Sequence, residues 1–194
     1  ELDEEPPHAI NSDALYLAAQ VAKMTGATIY KRSQVMRKTV IDGSNTSGFQ
    51  RTMLFAAGGE VSGEWGTCRL QTMCLEEDSA KIIERGSEID KYNLSRLGIP
   101  LLEIATEPDL TNPEMVRDCA KAIGEVLRST RKVRRGLGTI RQDVNVSIPK
   151  GARVEIKGAQ DLKMLPTLVE NEAKRQQSLL DLQKTKVNAD PVTD

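Results

Sequence analysis

Between Thr139 and Ile148 the chain alternates apolar and polar residues more regularly than anywhere else. Ile140, Val144, Val146 and Ile148 fall on one side, and Arg141, Asp143, Asn145 and Ser147 on the other. A period of two belongs to a strand with one buried face. Pro149-Lys150-Gly151 then suits a three-residue hairpin loop with Gly151 in the left-handed position. Ala152, Val154 and Ile156 resume the apolar side on a return strand that runs to Gly158. With Ile148 opposite Ala152, Asp143 pairs with Lys157, Asn145 with Glu155 and Ser147 with Arg153, a register that opposed charges favour. The polar side of this hairpin is either a solvated face with weak ion pairs or a face that grips phosphate and metal.

The flanking segments supply layers to cover such a hairpin. From Ser12, the residues Leu15, Tyr16, Ala19, Ala22 and Lys23 follow helical spacing until Gly26 stops them. Residues 28–36 read as extended, 42–48 as a turn-rich loop, and 53–57 as a short apolar run. Residues 67–75 and 100–106 read as strands, and the charged stretch between them has room for a short helix. Thr111-Asn112-Pro113-Glu114 is a helix start, followed by the stripe Met115, Val116, Cys119, Ile123, Val126 and Leu127, which places Cys119 in a core. Leu165, Leu168, Val169, Ala173, Leu179 and Leu180 mark a last long helix to about Leu182. Hairpins mixed with helices predict an α+β fold, mainly antiparallel sheet with flanking helices.

Charge and cysteine usage exclude several classes. The 27 Lys and Arg nearly cancel the 28 Asp and Glu, so nucleic-acid contact has to come from local clustering. The cluster is Arg128, Arg131, Lys132, Arg134 and Arg135, with no acid before Asp143; part of it also complements a helix C-terminus. Three cysteines without a CxxC pair argue against a disulfide scaffold or a zinc knuckle and fit a reducing cytoplasm. No apolar run approaches the ~20 residues of a membrane span. A start at Glu1 within an acidic, proline-bearing stretch, and a polar, aperiodic 183–194, give the expectation of an excised piece ending in a linker.

His8 is the only histidine and sits beside Pro6-Pro7, so nucleophilic catalysis by a Ser-His or Cys-His pair is not expected. Carboxylates and cations remain. Glu76, Glu77 and Asp78 follow one strand, and Glu103 and Glu107 share a side of another. Two such strand ends meeting would suit magnesium, which takes oxygen ligands and keeps water or phosphate in its other positions. The loop from Gly43 to Gly48 has amides for an anion but lacks the GK[ST] of a P-loop.

Four stretches, RKTVIDGSNTSGFQRT, LEEDSAK, GIPLLEIATEPDL and GTIRQDVNVSI with VEIKGAQDL, resemble in order and spacing the blocks of the tRNA-dependent amidotransferase subunits called B in bacteria and organelles and E in archaea. IDGSNTSGFQRT and EIKGAQDL lean to the archaeal type. The resemblance implies that residues 1–182 are part of a catalytic cradle similar in fold to glutamine synthetase, with 183–194 leading toward an inserted domain. It implies ATP and Mg2+ as cofactors, Glu-tRNA(Gln) as substrate, and an asparaginase-like amidohydrolase, the subunit called D, as the ammonia-supplying partner. Phosphoryl transfer of this kind needs positioning and charge stabilisation more than covalent help.

Carried over by motif, Glu76, Glu77 and Glu103 are the implied metal ligands, and Asp143, Asn145, Glu155, Lys157 and Glu107 the catalytic set. Arg37, Lys38, Ser47, Gly48, Gln50 and Arg141 would line the nucleotide site. The family's opening Gly-Leu-Glu strand would lie upstream of Glu1, so the piece alone is expected to lack amidotransferase activity. Two other readings stay open: a ligase acting on a free small acid, and a non-catalytic tRNA-binding module.

Overall fold

The computed structural model describes residues 8–136 and 138–184. The chain divides into two compact units, 1–109 with 126–133, and 110–125 with 134–194. The expected linker beyond residue 184 lies outside the described residues.

The first unit is an antiparallel sheet with one helix. Helix α1 (Ser12–Met24) starts at Asn11, whose side chain accepts the Ala14 N–H at 2.9 Å. It ends in a paired C-terminal motif: Ala27 N–H bonds Ala22 O at 2.8 Å and Gly26 N–H bonds Lys23 O, with Gly26 at φ +73°. The strands are β1 (Thr28–Ile29), β2 (Val35–Thr39), β3 (Phe49–Ala57), β4 (Glu60–Gly63), β5 (Gly66–Glu77) and β8 (Pro100–Thr106). Strand β5 pairs with β3, β4 and β8, while β1 and β2 both pair with β3. The core gathers Ala18, Val21 and Ala22 of α1 with Met53, Phe55 and Ala56 of β3 and Cys68, Leu70, Met73 and Leu75 of β5.

Alternation along β3 is broken once. Met53 pairs with Leu75 and Leu54 with Cys74, but Ala56 pairs with Met73, so an irregularity falls between Leu54 and Ala56. The extra residue, Phe55, is only 2% exposed, and Ala56 returns to the apolar side.

The charged stretch after β5 holds no helix. Its strands β6 (Lys81–Glu84) and β7 (Lys91–Asn93) form a hairpin, pairing Lys81 with Asn93 and Ile82 with Tyr92. Cross-strand partners favour this: Lys91 Nζ reaches Glu84 at 2.5 Å, and Asp90 accepts both Arg85 and the Gly86 N–H. Helical spacing had no buried partner to exploit.

The second unit holds the hairpin expected from its alternation. Strands β9 (Val144–Val146) and β10 (Val154–Ile156) pair Val146 with Val154, Asn145 with Glu155 and Val144 with Ile156. The register and the buried side are as expected, but the strands are shorter. The loop differs as well: Lys150, at φ 69°, takes the left-handed position. Gly151 is needed for space, since a Cβ there would stand 2.5 Å from Gln176 Oε1 and 2.8 Å from Ile148 Cγ1.

Val144, Val146, Ala159 and Leu165 form the core of this unit, with Val116, Ala120, Ile156, Leu162, Leu168 and Val169 packed on it. Val116 and Ala120 come from helix α2 (Pro113–Ser129), where Cys119 is buried as expected. A 3-10 turn (Leu162–Met164) leads into α3 (Leu165–Lys184). Leu179 is 46% exposed, contrary to the apolar stripe. The inward position is taken by Gln176, which donates to Val146 O at 3.0 Å and accepts the Ile148 N–H at 3.2 Å. A polar side chain wins there because it satisfies edge backbone that leucine would leave unpaired.

Glu172 belongs to the same network, accepting both Arg175 nitrogens at 2.7 Å and Gln176 Nε2 at 2.8 Å. Bonding to Arg175, then Gln176, holds its carboxyl down to about 2 from 4.5. A carboxyl depressed on folding stabilises fully above its unfolded value and loses that contribution as pH falls through the folded one. The gap in urea midpoint between wild type and Glu172→Gln is therefore expected to be widest near neutrality and to close between about pH 4.5 and about pH 2. A gap that stays constant down to about pH 2 would count against this network.

Candidate active site

The register of four strands builds one polar face on the first unit. Lys38 opposes Gln50, Thr52 opposes Glu76, and Cys74 opposes Glu103. Because directly opposed residues point the same way, Lys38, Gln50, Thr52, Cys74, Glu76 and Glu103 share a side. Residues one step along point to the other side. Glu77 accordingly accepts Arg51 Nε at 2.7 Å, and Arg37 lies over the Phe49 ring, 5.2 Å from its centroid.

Glu76 is the most enclosed charge on this face, at 5% exposure. Its Oε1 accepts Lys38 Nζ at 3.1 Å and Thr52 Oγ1 at 3.0 Å, and its Oε2 accepts Gln50 Nε2 at 3.3 Å. Gln50 also donates to Glu77 O at 2.6 Å, which ties the carboxylate to the end of β5. A buried carboxylate lacking such donors would be costly, so the cluster fixes its orientation. Burial and the Glu103 and Glu76 carboxylates push the Cys74 thiol up, away from nucleophilic use.

Glu103 and Glu76 are diagonal neighbours across β5 and β8, with Cβ atoms typically about 7–8 Å apart in that relation. Among the described residues no group of three or more His, Cys, Asp or Glu side chains gathers as a complete metal site. The pair nonetheless suits magnesium, which binds through one or two carboxylates and fills its shell with water and phosphate oxygens. Glu77 points to the opposite side, against Arg51, and so does not join them.

The other sequence-derived residues are more dispersed. Glu107 lies just past β8, its N–H on Arg69 O at 2.9 Å, six residues and about 20 Å of strand from the partner of Glu76. Ser47 Oγ donates to Phe49 O at 3.0 Å, and Gly48 sits at φ +75° with its N–H on Asn45 O. The Ser44 N–H is held by Asp42 at 3.0 Å, so at least two amides of this loop have internal acceptors. In the second unit, Asn145 and Glu155 are opposed and exposed, and Lys157 pairs with Glu155 at 3.2 Å. Asp143 accepts the Gly158 N–H at 3.0 Å, which helps shape the hairpin. Arg141 is half-buried just before that strand.

Sequence reasoning missed Thr52 and Arg51. Their signal was the alternation Gln50, Arg51, Thr52 opposite Glu76 and Glu77, legible only once β3 and β5 are known to pair.

A polar sheet face with an oriented acid and a cation suits charge and phosphate handling. The family model of the GatB/GatE catalytic domain matches residues 5–193, and the chain belongs to that family. The E-type glutamyl-tRNA(Gln) amidotransferase subunit of Methanococcus vannielii is 52% identical over 184 residues, and that of Pyrococcus horikoshii 54% over 181. These alignments cover 95% and 93% of this chain, but only 29% and 28% of those proteins.

Proposed function

We propose that the chain is the part of a tRNA-dependent amidotransferase that handles metal and phosphate. In this reading ATP phosphorylates the γ-carboxylate of glutamate esterified to tRNA(Gln). Ammonia from an asparaginase-like amidohydrolase partner, the subunit called D, then displaces phosphate to leave Gln-tRNA(Gln). The observation that carries the reading is Glu76, enclosed and oriented by Lys38, Gln50 and Thr52 on the side it shares with Glu103.

Magnesium, when bound, would neutralise charge on the transferring phosphoryl group. Glu76 and Glu103 would hold it, and Gln50 and Thr52 would keep Glu76 in place. Lys38, whose side chain is half exposed, is a cation beside Glu76 that could meet an incoming phosphate.

The test is the complete subunit assembled with its amidohydrolase, supplied with Glu-tRNA(Gln), ATP and magnesium, with Gln-tRNA(Gln) as the product followed. Manganese binding to the isolated chain, read by electron paramagnetic resonance, gives a second readout. Glu103→Gln is expected to weaken both. Unchanged turnover together with unchanged manganese affinity would sink the assignment.

A further inference from the structure

We propose that the turn from Arg128 to Lys132, together with Tyr16 of α1, is a contact surface for the sugar–phosphate backbone of RNA, formed by residues other than those around Glu76. The inference rests on the reading above, in which the substrate is carried on RNA, and adds the surface that holds it.

Four observations carry it. The chain as a whole has a formal net charge of −1, yet Arg128, Arg131 and Lys132 follow one another with no intervening acid. All three are exposed, and among the described residues the two arginines have no carboxylate partner. Helix-end complementarity accounts for Arg128 in the last turn of α2, but the dipole's influence fades within that turn and leaves the others unexplained.

The support beneath them is rigid. Thr130 is buried, its Oγ1 donating to Leu127 O at 2.7 Å and accepting the Lys132 N–H at 3.3 Å. Arg131 holds φ 58°, a left-handed position where glycine is the usual occupant. A costly conformation is thus kept by an arginine.

The last observation is an aromatic neighbour. Lys132 Nζ lies 5.1 Å from the centroid of the Tyr16 ring, and Tyr16 is 66% exposed. Tyr16 also lines a shallow groove of about 400 Å³ with Gln20, Lys23 and Met24. Exposed cations on one turn, one of them beside an exposed ring, are what a backbone with stackable bases requires, whereas a free nucleotide has too few phosphates to engage the whole turn.

The test is fluorescence anisotropy of a labelled tRNA transcript with the chain, over about 50–200 mM potassium chloride. Each phosphate contact contributes about 0.7–0.9 to the slope of log affinity against log salt. Replacing Arg128 and Arg131 with glutamine is expected to reduce that slope by about 1.5–2 and the affinity by roughly tenfold. Arg131→Gly removes one cation at a position whose backbone suits glycine, so it should lower the slope by about one without lowering the melting temperature. Tyr16→Ala should weaken binding several-fold and leave the slope unchanged, since stacking releases no counterions.

Lys91→Gln, a cation already paired with Glu84, is the control and should bind as wild type does. The proposal is overturned if the arginine variant binds as tightly as wild type, if Lys91→Gln loses as much, or if the variant loses ATP binding in calorimetry while tRNA binding stays intact. In the assembled enzyme the variant should raise KM for Glu-tRNA(Gln) and spare kcat. An unchanged KM would bring down this surface alone, while an assembled wild-type enzyme that forms no Gln-tRNA(Gln) would bring down the function it serves.

Discussion

Glu76→Gln is expected to lower Gln-tRNA(Gln) formation by the assembled enzyme on the order of a thousandfold while leaving the fold intact. The substitution keeps the shape of the side chain and changes its bonding. One carboxylate oxygen becomes an NH2 group, and every polar neighbour of Glu76 is already a donor: Lys38 Nζ, Thr52 Oγ1 and Gln50 Nε2. Gln50 cannot simply turn its amide over, because the same nitrogen also donates to Glu77 O. The negative charge that would hold a cation is lost, and the new amide is aimed at another donor. Steady-state rates with matched circular dichroism spectra check this. Glu77→Gln serves as the comparison and should cost much less, since that side chain faces Arg51 on the other side of the sheet. Equal losses for the two glutamines would mean that the side-specific argument is wrong.

Gly59→Ala should be the most damaging small substitution in the first unit. Gly59 has φ +85°, and a Cβ there would stand 2.5 Å from Thr25 O and 2.8 Å from Ala27 N, both backbone atoms at the end of α1. The neighbouring bonds allow little retreat, because Glu60 N–H is on the same Thr25 O at 2.9 Å and Leu70 N–H is on Gly59 O at 2.8 Å. Left-handed strain and a backbone clash together should cost about 3 kcal/mol or more, which in a domain of this size lowers Tm by about 6–12 °C. Gly26→Ala separates the two contributions. It also has positive φ, +73°, but a Cβ there meets nothing within 4 Å, so it should cost only about 1–2 kcal/mol. Similar losses for both would show that the clash is relieved by movement of the turn.

What the sequence made legible was set by how local each determinant is. The β9–β10 register could be read because buried valines alternate with charged residues on both strands, and a slip by one would have exchanged the two faces. Helix α2 was legible from Pro113 and an unbroken stripe. The Lys81–Asn93 hairpin was not, because its residues are mostly exposed and its stability comes from cross-strand charges rather than from a periodic core. Phe55 shows a different limit. Strict alternation from Gln50 would have put Ala56 on the side of Glu76, and only the extra residue restores it to the core. The Glu76 cluster joins residues 26 and 38 positions apart, so its parts were visible but their convergence was not.

The 42–48 loop is fastened to the hairpin that follows β5. Tyr92 Oη donates to Asp42 O, Arg85 pairs with the Asp42 carboxylate at 3.7 Å, Ala80 N–H bonds Ser44 O at 2.8 Å, and Ser79 Oγ donates to Asn45 at 2.8 Å. Gly43 admits the tyrosine, since a Cβ there would lie 2.6 Å from its hydroxyl. Loop and hairpin therefore form one cooperative opening unit, and their amides should exchange with solvent at a common free energy. The chain entering β3 at Gln50 is accordingly no free flap. Any motion that widens the approach to Glu76 from that side has to lift the hairpin with it, so a substrate or partner that grips the hairpin would set the breathing of the loop from a distance.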